Sequence, residues 1–303
     1  MAQIMLQANV AFEDGVYGRR AVVKCPWSRG MVDHFRSNGV VELELNQGKG
    51  WRGTDISFLL ELPNLVAFDI FDFSIGDISP IHSLHNLRQI GITTYCSTAI
   101  DFSAFPRLES CGLEWRRGAE SLFDCATIIR LFVNRYKGKT VEPFSRLVKL
   151  EYLAILNAPV EDLSGLRSLV HLRALRLAGL RRLSSLRGIE RLASLEELEI
   201  HTCRRIPSIE EVGNLPRLRQ LYLNNDGDIE SLKPLDRLSE VESVLFYEST
   251  NILDGDLCPL FRQKKLRQVS FQNRKHYSHR REDFGAAYYT PTRLPSPSGL
   301  RPG

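Results

Sequence analysis

Several signatures of chemistry are missing from this chain. None of its six cysteines, Cys25, Cys96, Cys111, Cys125, Cys203 and Cys258, stands in a CxxC pair or has a histidine at ligand spacing. That excludes the common structural zinc modules and leaves reduced thiols, with Cys111 and Cys125 at apolar positions. Gly48-Lys49-Gly50-Trp51-Arg52-Gly53 is glycine-rich and basic but lacks the Gly-Lys-Ser/Thr ending that sets a lysine and a hydroxyl on phosphate and magnesium, so it reads as a long loop. Asp254-Gly255-Asp256 starts like a calcium loop without the later acidic ligands or the distal glutamate, and reads as a turn. His276 and His279 stand three apart with no third ligand, and no G-x-S-x-G elbow joins a serine to a base. No catalytic residue, metal or cofactor is therefore expected.

Excess charge is also scarce. The formal net charge is +4, and residues 273–303 account for all of it, with Arg274, Lys275, Arg280, Arg281, Arg293 and Arg301 against Glu282 and Asp283. A formally neutral body speaks against a surface built to cradle nucleic acid. Residues 1–12 carry no basic lead, and Gln3, Gln7 and Asn9 interrupt their apolar residues, so neither a signal peptide nor a membrane span is expected and a cytoplasmic address follows. From Tyr288 the chain is rich in Thr, Ser, Gly, Arg and proline (Pro291, Pro295, Pro297, Pro302), the composition of a flexible basic tail.

What the chain does have is repetition. A phrase of aliphatic, two residues, aliphatic, one residue, aliphatic begins at Val40, Leu65, Leu87, Leu108, Ile128, Leu150, Leu172, Leu195, Leu218, Val241 and Leu266, with steps of 20 to 25 residues. A lag this regular means a stacked array. Within each phrase the fourth and sixth residues, such as Leu153 and Ile155, alternate with variable ones, the period of a strand buried on one side. Between phrases the apolar residues fall three apart, as in Ile75, Ile78, Ile81, Leu84 and Leu87 or Ile206, Ile209, Val212, Leu215 and Leu218. An α-helix would drift off that period, whereas it suits a 3₁₀ turn.

Asp77-Ile78-Ser79-Pro80-Ile81, with Leu84 and Leu87 after it, resembles the outer leg of internalin-like leucine-rich repeats, a likeness that covers residues 40–272. The resemblance implies an α/β leucine-rich repeat solenoid: a curved parallel sheet of about eleven short strands, with 3₁₀ turns and extended segments on the convex side. The chain departs from that class in two ways. At the ninth phrase position, where the family keeps a ladder of asparagines, stand Phe73, Tyr95, Arg116, Tyr136, Ala158, Leu180 and Cys203, with Asn157 and Asn225 one place early as partial replacements. The other is the secretion signal internalins carry, so a cytosolic, bacterial variant is expected.

A solenoid must cover its apolar ends. Ala21–Cys25 reads as a strand and Ser28 as the cap of a short helix burying Met31, Val32 and Phe35, with Gly39 ending it. The expected organisation is an N-terminal cap over 1–39, the array over 40–272, and a closing segment with tail over 273–303, in which Asn273–His279 closes the last coil.

The third, fifth and seventh phrase residues face away from the core, and eleven strands would spread them over a concave face on the order of 50 Å long, the size of a protein partner. Aromatics and arginines supply most binding energy at such surfaces. They cluster as Trp115, Arg130, Phe132, Tyr136 and Tyr152, and again as Tyr222, Asn224 and Tyr247 flanked by Glu199 and His201, with Arg176 between the two groups. Phe71 and Leu245 are further apolar residues on that face, and the first strand adds Glu42 and Glu44. Tyr95 and Tyr136, at the ladder position, equally suit covering the core ends. Phe132, Tyr152, Tyr222 and Tyr247 sit mid-face, where turning inward would require a register flip, and are expected to be free for contact.

The reading that follows is a non-enzymatic, monomeric module that binds a protein partner on its concave face as a scaffold, inhibitor or immunity-type protein. A regulatory subunit of a phosphatase or other enzyme is its sibling. An alternative of another class is anionic-ligand or nucleic-acid binding through Arg116, Arg117, Arg130, Arg135, Arg176 and the basic tail.

Overall fold

The structure, a computed structural model, describes residues 9–287, so the readings on the residues before Asn9 and from Tyr288 onward lie outside it. Two compact units divide the described residues after Leu131, within the strand Arg130–Asn134 (β7). No helix among them is long and apolar enough to cross a membrane.

In the first unit Val10–Asp14 (β1) runs antiparallel to Arg19–Val23 (β2), and after the helix Gly30–Ser37 (α1) the chain returns as Val40–Asn46 (β3), parallel to β2. β1 was not anticipated from the sequence. α1 buries Met31, Val32 and Phe35 as expected, and Gly39 takes the left-handed conformation (φ 65°) that ends it. Ser28, however, contributes only its carbonyl, which accepts the Met31 N–H at 3.0 Å, and no side chain caps the helix. Ala67–Phe71 (β4), Gln89–Thr93 (β5) and Ser110–Glu114 (β6) follow β3 in order, all parallel and in phase, so that Leu43, Phe68, Ile90 and Cys111 form one buried row.

The glycine-rich loop after β3 is structural. Trp51 is fully buried, and Trp27 stacks on Phe58 with ring centroids 3.4 Å apart. A Cβ on Gly53 would lie 2.3 Å from the Trp51 ring, so only glycine lets the loop close over it.

The step of three expresses itself as a hydrogen-bond chain. The N–H of Ile81 donates to Ile78 at 3.1 Å, Leu84 to Ile81 at 2.9 Å and Leu87 to Leu84 at 3.2 Å, so each apolar residue both fills the core and closes a 3₁₀ turn on the one before it. The same chain links Ile209, Val212, Leu215 and Leu218 in the second unit.

That unit repeats the parallel, in-phase arrangement through Tyr152–Leu156 (β8), Ala174–Ala178 (β9), Glu197–His201 (β10), Gln220–Asn224 (β11), Ser243–Tyr247 (β13) and Gln268–Phe271 (β15). The short strands Asp228–Ile229 (β12) and Asn251–Ile252 (β14) pair separately on its margin. At the eighth phrase position the chain turns through a left-handed residue in every repeat of this unit but the last, at Arg135, Asn157, Gly179, Thr202, Asn225 and Glu248. Side chains cost energy there, least for asparagine and glycine. The N–H so exposed donates to the strand-end carbonyl one repeat on: Asn157 to Ala178 at 2.8 Å, Gly179 to His201 at 2.8 Å and Thr202 to Asn224 at 2.9 Å.

This backbone ladder does much of the work of the missing amides. Asn157 and Asn225 add side-chain bonds to Asn134 (2.9 Å) and Thr202 (3.3 Å). The ninth position is also filled once in a way the sequence reading passed over: buried Asp226 accepts the Cys203 N–H at 2.8 Å through Oδ1, while its Oδ2 has no hydrogen bond. At the far end Phe246, Phe271, Tyr277 and Phe284 close the core, and the Tyr277 hydroxyl accepts the Ile252 N–H at 3.1 Å.

Two stability predictions follow from this packing. Leu153→Ala empties a fully buried site in β8 and should cost about 2 to 5 kcal/mol in denaturant unfolding. Burial raises the Asp226 carboxyl from 3.8 to about 7. An acid whose folded pKa is raised stabilises the fold fully below its unfolded pKa and loses that contribution as pH rises through the folded value. The stability of Asp226→Asn relative to the parent should therefore climb between pH 4 and pH 7 and level off above; a flat difference would show that Asp226 does not titrate this way.

Candidate functional site

The face of each sheet opposite the 3₁₀ turns carries the third, fifth and seventh residues, as the alternation requires. On the first unit it is acidic but already answered from within. Arg20, on the strand beside β3, reaches both Glu44 and Asp69 at 3.0 Å, Lys49 reaches Glu44 at 2.7 Å, Gln89 donates to Asp69 at 2.9 Å, and the Tyr17 N–H donates to Glu42. Burial, partly offset by Arg20, pushes the Asp69 carboxyl up to about 6. The acidic first strand is thus knitted to its own cap.

The exposed feature of this unit lies at the strand exits. Phe71 meets Phe73 edge to face at 5.0 Å, and Phe73 stacks on Tyr95 at 4.3 Å, with Tyr95 68% exposed. Tyr95 therefore does not cover the end of the core. Arg116 does that instead: buried, it donates to the Thr94 carbonyl at 3.3 Å and hydroxyl at 3.1 Å, taking the part of a ladder amide. Trp115 is half-buried against Phe123 at 5.7 Å, and Arg130 is half-buried.

Of the first predicted cluster, Trp115 and Arg130 belong to the first unit and Phe132, Tyr136 and Tyr152 to the second. Phe132 is half-buried. Tyr136 is core cover: its ring packs edge-on to Phe144 at 5.2 Å, and Gly138 leaves the space for it. Tyr152 keeps its register on the open face but is only 5% exposed, which corrects the expectation that it stands free.

The second predicted cluster is brought together. In register across β9, β10, β11 and β13 lie Arg176, Glu199, Tyr222 and Leu245, and one pleat along lie Ala178, His201, Asn224 and Tyr247. Here too the expected exposure is corrected: Tyr222, Leu245, Glu199 and Asn224 are all buried. The reason is lateral. Parallel strands about 4.8 Å apart set like positions side by side, so large side chains on this face cover one another without entering the core. Arg176, Glu197, His201, Gln220 and Tyr247 remain half-exposed around them.

Electrostatically the cluster is centred on Glu199, which sits 3.3 Å from Arg176 Nε and 3.4 Å from His201 Nε2. Arg176 Nε and the side-chain oxygen of Asn224 make no hydrogen bond. Burial, then the charge of Glu199 and a side-chain hydrogen bond with it, raise the Glu197 carboxyl to about 7, with Arg176 opposing. The Tyr222 hydroxyl donates to Gln220 at 2.5 Å. Sequence reading missed Glu197 as part of the group, although its place two residues before Glu199 on one strand face was a sufficient signal.

Among the described residues no three His, Cys, Asp or Glu side chains gather to hold a metal, and His276 is turned to the Ile252 carbonyl at 3.0 Å. Arg116 and Arg176, two of the arginines considered for anion binding, are engaged within the protein.

Neither a protein-family model nor a curated protein sequence matches the chain. Among solved structures it is similar to an internalin, inlF, from Listeria monocytogenes, with a TM-score of 0.52 and 18% identity over 84% of this chain and 87% of that one. An internalin C2, inlC2, from the same organism aligns at 18% identity and a TM-score of 0.36 over 53% of this chain and 77% of that one. The likeness to the first shows the fold, a leucine-rich repeat solenoid with short strands and 3₁₀ turns.

The burial pattern separates two kinds of aromatic. Replacing Phe73 and Tyr95 together with serine should change unfolding stability by less than about 1 kcal/mol. Tyr222→Ala, which opens a covered site, should lose more than about 2 kcal/mol. Equal losses would mean that exposure is not what distinguishes them.

Proposed function

We infer that this chain is a non-enzymatic module that binds a protein partner through the open face of its parallel sheet. The observation that carries the reading is the division of labour along each strand. The fourth and sixth residues seal the core, while the third, fifth and seventh, which fill no core position, compose a mixed surface of Arg176, Glu197, Glu199, His201, Tyr222, Asn224 and Tyr247. Charged groups held in place beside aromatic rings are what a protein interface uses for orientation and area. Folds of this kind generally mediate protein–protein interaction, which supports the same conclusion.

The build suits a scaffold, an inhibitor or an immunity-type protein acting as a cytoplasmic monomer, and a regulatory subunit of a phosphatase or other enzyme works through the same face. Binding of an anionic polymer is the weaker reading, because the arginines that motivated it include Arg116 and Arg176, which are committed to internal partners.

Ala178→Trp tests the reading without removing a contact. Ala178 is a small, half-exposed residue beside His201, and an indole there projects from the face. Partner capture from native extract should weaken at least about tenfold, equivalent to 1.4 kcal/mol, with thermal stability unchanged. Arg191→Ala, on the opposite side, should bind normally. Normal capture by Ala178→Trp would move the interface off this face.

A further inference from the structure

We propose that Ser184 is a phosphorylation site, on which a Ser/Thr protein kinase places a phosphoryl group that Arg205 of the next repeat then holds. The site follows the exit of β9 and uses none of the open-face residues.

An ion pair one repeat earlier shows what this position is shaped for. Glu161 stands eleven residues before the phrase at Leu172, and Ser184 stands eleven before the phrase at Leu195. Arg182 donates to Glu161 at 2.7 Å across the repeat boundary, and that bond holds the Glu161 carboxyl below the usual carboxylate range. The spacing of 21 residues from Glu161 to Arg182 is also the spacing from Ser184 to Arg205. Arg205 thus stands toward Ser184 as Arg182 stands toward Glu161, but it meets a neutral hydroxyl. Its side chain is exposed and has no ion-pair or hydrogen-bond partner among the described residues. Glu161, Arg182, Ser184 and Arg205 line one cavity of about 400 Å³.

Ser184 is also free to react. It is exposed, its hydroxyl has no partner among the described residues, and residues 183–186 form neither helix nor turn. The neighbouring serines are committed. Ser185 accepts the Arg187 N–H at 3.0 Å and donates to Glu211 at 3.1 Å, and Ser208, its counterpart one repeat on, accepts the Glu210 N–H at 3.3 Å. The place of Ser184 in that next repeat is taken by Pro207, so the hydroxyl has no structural duty there. Arg181 and Arg182, both exposed, stand three and two residues ahead of Ser184. Paired guanidiniums in that position are what an acidic kinase cleft can grip by charge-assisted hydrogen bonds.

The phosphoryl donor is ATP. The Ser184 oxygen bonds to the γ-phosphorus as the bond from that phosphorus to the β,γ-bridging oxygen breaks, ADP leaves with the electron pair, and the hydroxyl proton passes to the aspartate base of the kinase. The product carries about 1.5 to 2 negative charges at neutral pH and three strong acceptor oxygens. The charged groups on the cavity wall are Glu161, already matched by Arg182, and Arg205, which is unmatched. Arg204 beside it is held on the carbonyl and side-chain oxygens of Asn225 at 3.4 and 2.6 Å, neutral acceptors that leave its charge in place. Phosphoserine therefore gives Arg205 the anion that Glu161 gives Arg182.

The test maps phosphate on the full chain by peptide mass spectrometry, both as isolated from native cells and after incubation with ATP and the catalytic subunit of cyclic-AMP-dependent protein kinase, an enzyme that selects arginines ahead of its serine. Phosphate on Ser184, in excess of Ser185 and Ser208 together and lost in Ser184→Ala, is the expected result. Phosphorus NMR of the product should then show the phosphoserine titrating about 0.5 lower in pH in the parent than in Arg205→Gln, since a nearby cation favours the dianion. Both variants change exposed side chains and should unfold at the temperature of the parent. Absence of phosphate from Ser184 in the native protein, equal labelling of Ser185 or Ser208, or a titration that Arg205→Gln leaves unmoved would overturn the proposal.

Discussion

Because the strands within each unit pair in phase, position for position, a side chain of the array is buried mainly against its own counterpart one repeat away. The core rows, the 3₁₀ chains behind them and the composed surface in front all depend on that alignment. A slip of one residue in any strand would carry leucines to the open face and charged residues to the core. The alignment is held from two sides. Behind the sheet, each apolar residue closes a turn on the one three before it, as at Ile78, Ile81 and Leu84. At the strand exits of the second unit, a left-handed corner aims one N–H at the next repeat.

That economy explains how much could be read from the residues alone. All eleven phrases are strands, and the step of three does produce 3₁₀ turns, because both follow from where apolar side chains must point within one repeat. What escaped reading depends on the neighbouring repeat. Tyr152 and Tyr222 keep to the open face, as their parity demands, yet lie covered by what flanks them on adjacent strands. Arg20 looked like an ordinary residue of a cap strand and turns out to neutralise Glu44 and Asp69. Parity fixes the direction of a side chain, and lateral company decides its exposure.

The amide ladder shows the same division. Its absence was legible as a list of unsuitable residues at the ninth position, but its replacement was not. Arg116 reaches back to Thr94, Asp226 takes the Cys203 N–H, and the backbone at Asn157, Gly179 and Thr202 supplies the rest. Three unlike solutions meet one requirement, that the polar groups at the strand exits find partners away from water.

The left-handed corners have a consequence for how such an array can change over generations. Those from Arg135 to Asn225 are bonded to the backbone of the following repeat and so are indifferent to which side chains that repeat carries. A duplication or deletion whose breakpoints fall at equivalent corners, for instance from Thr202 to Asn225, would re-form the same bond with whichever coil comes next. Lineages could thereby lengthen, shorten or reshuffle the rows of the binding surface by recombination without first solving the folding problem again.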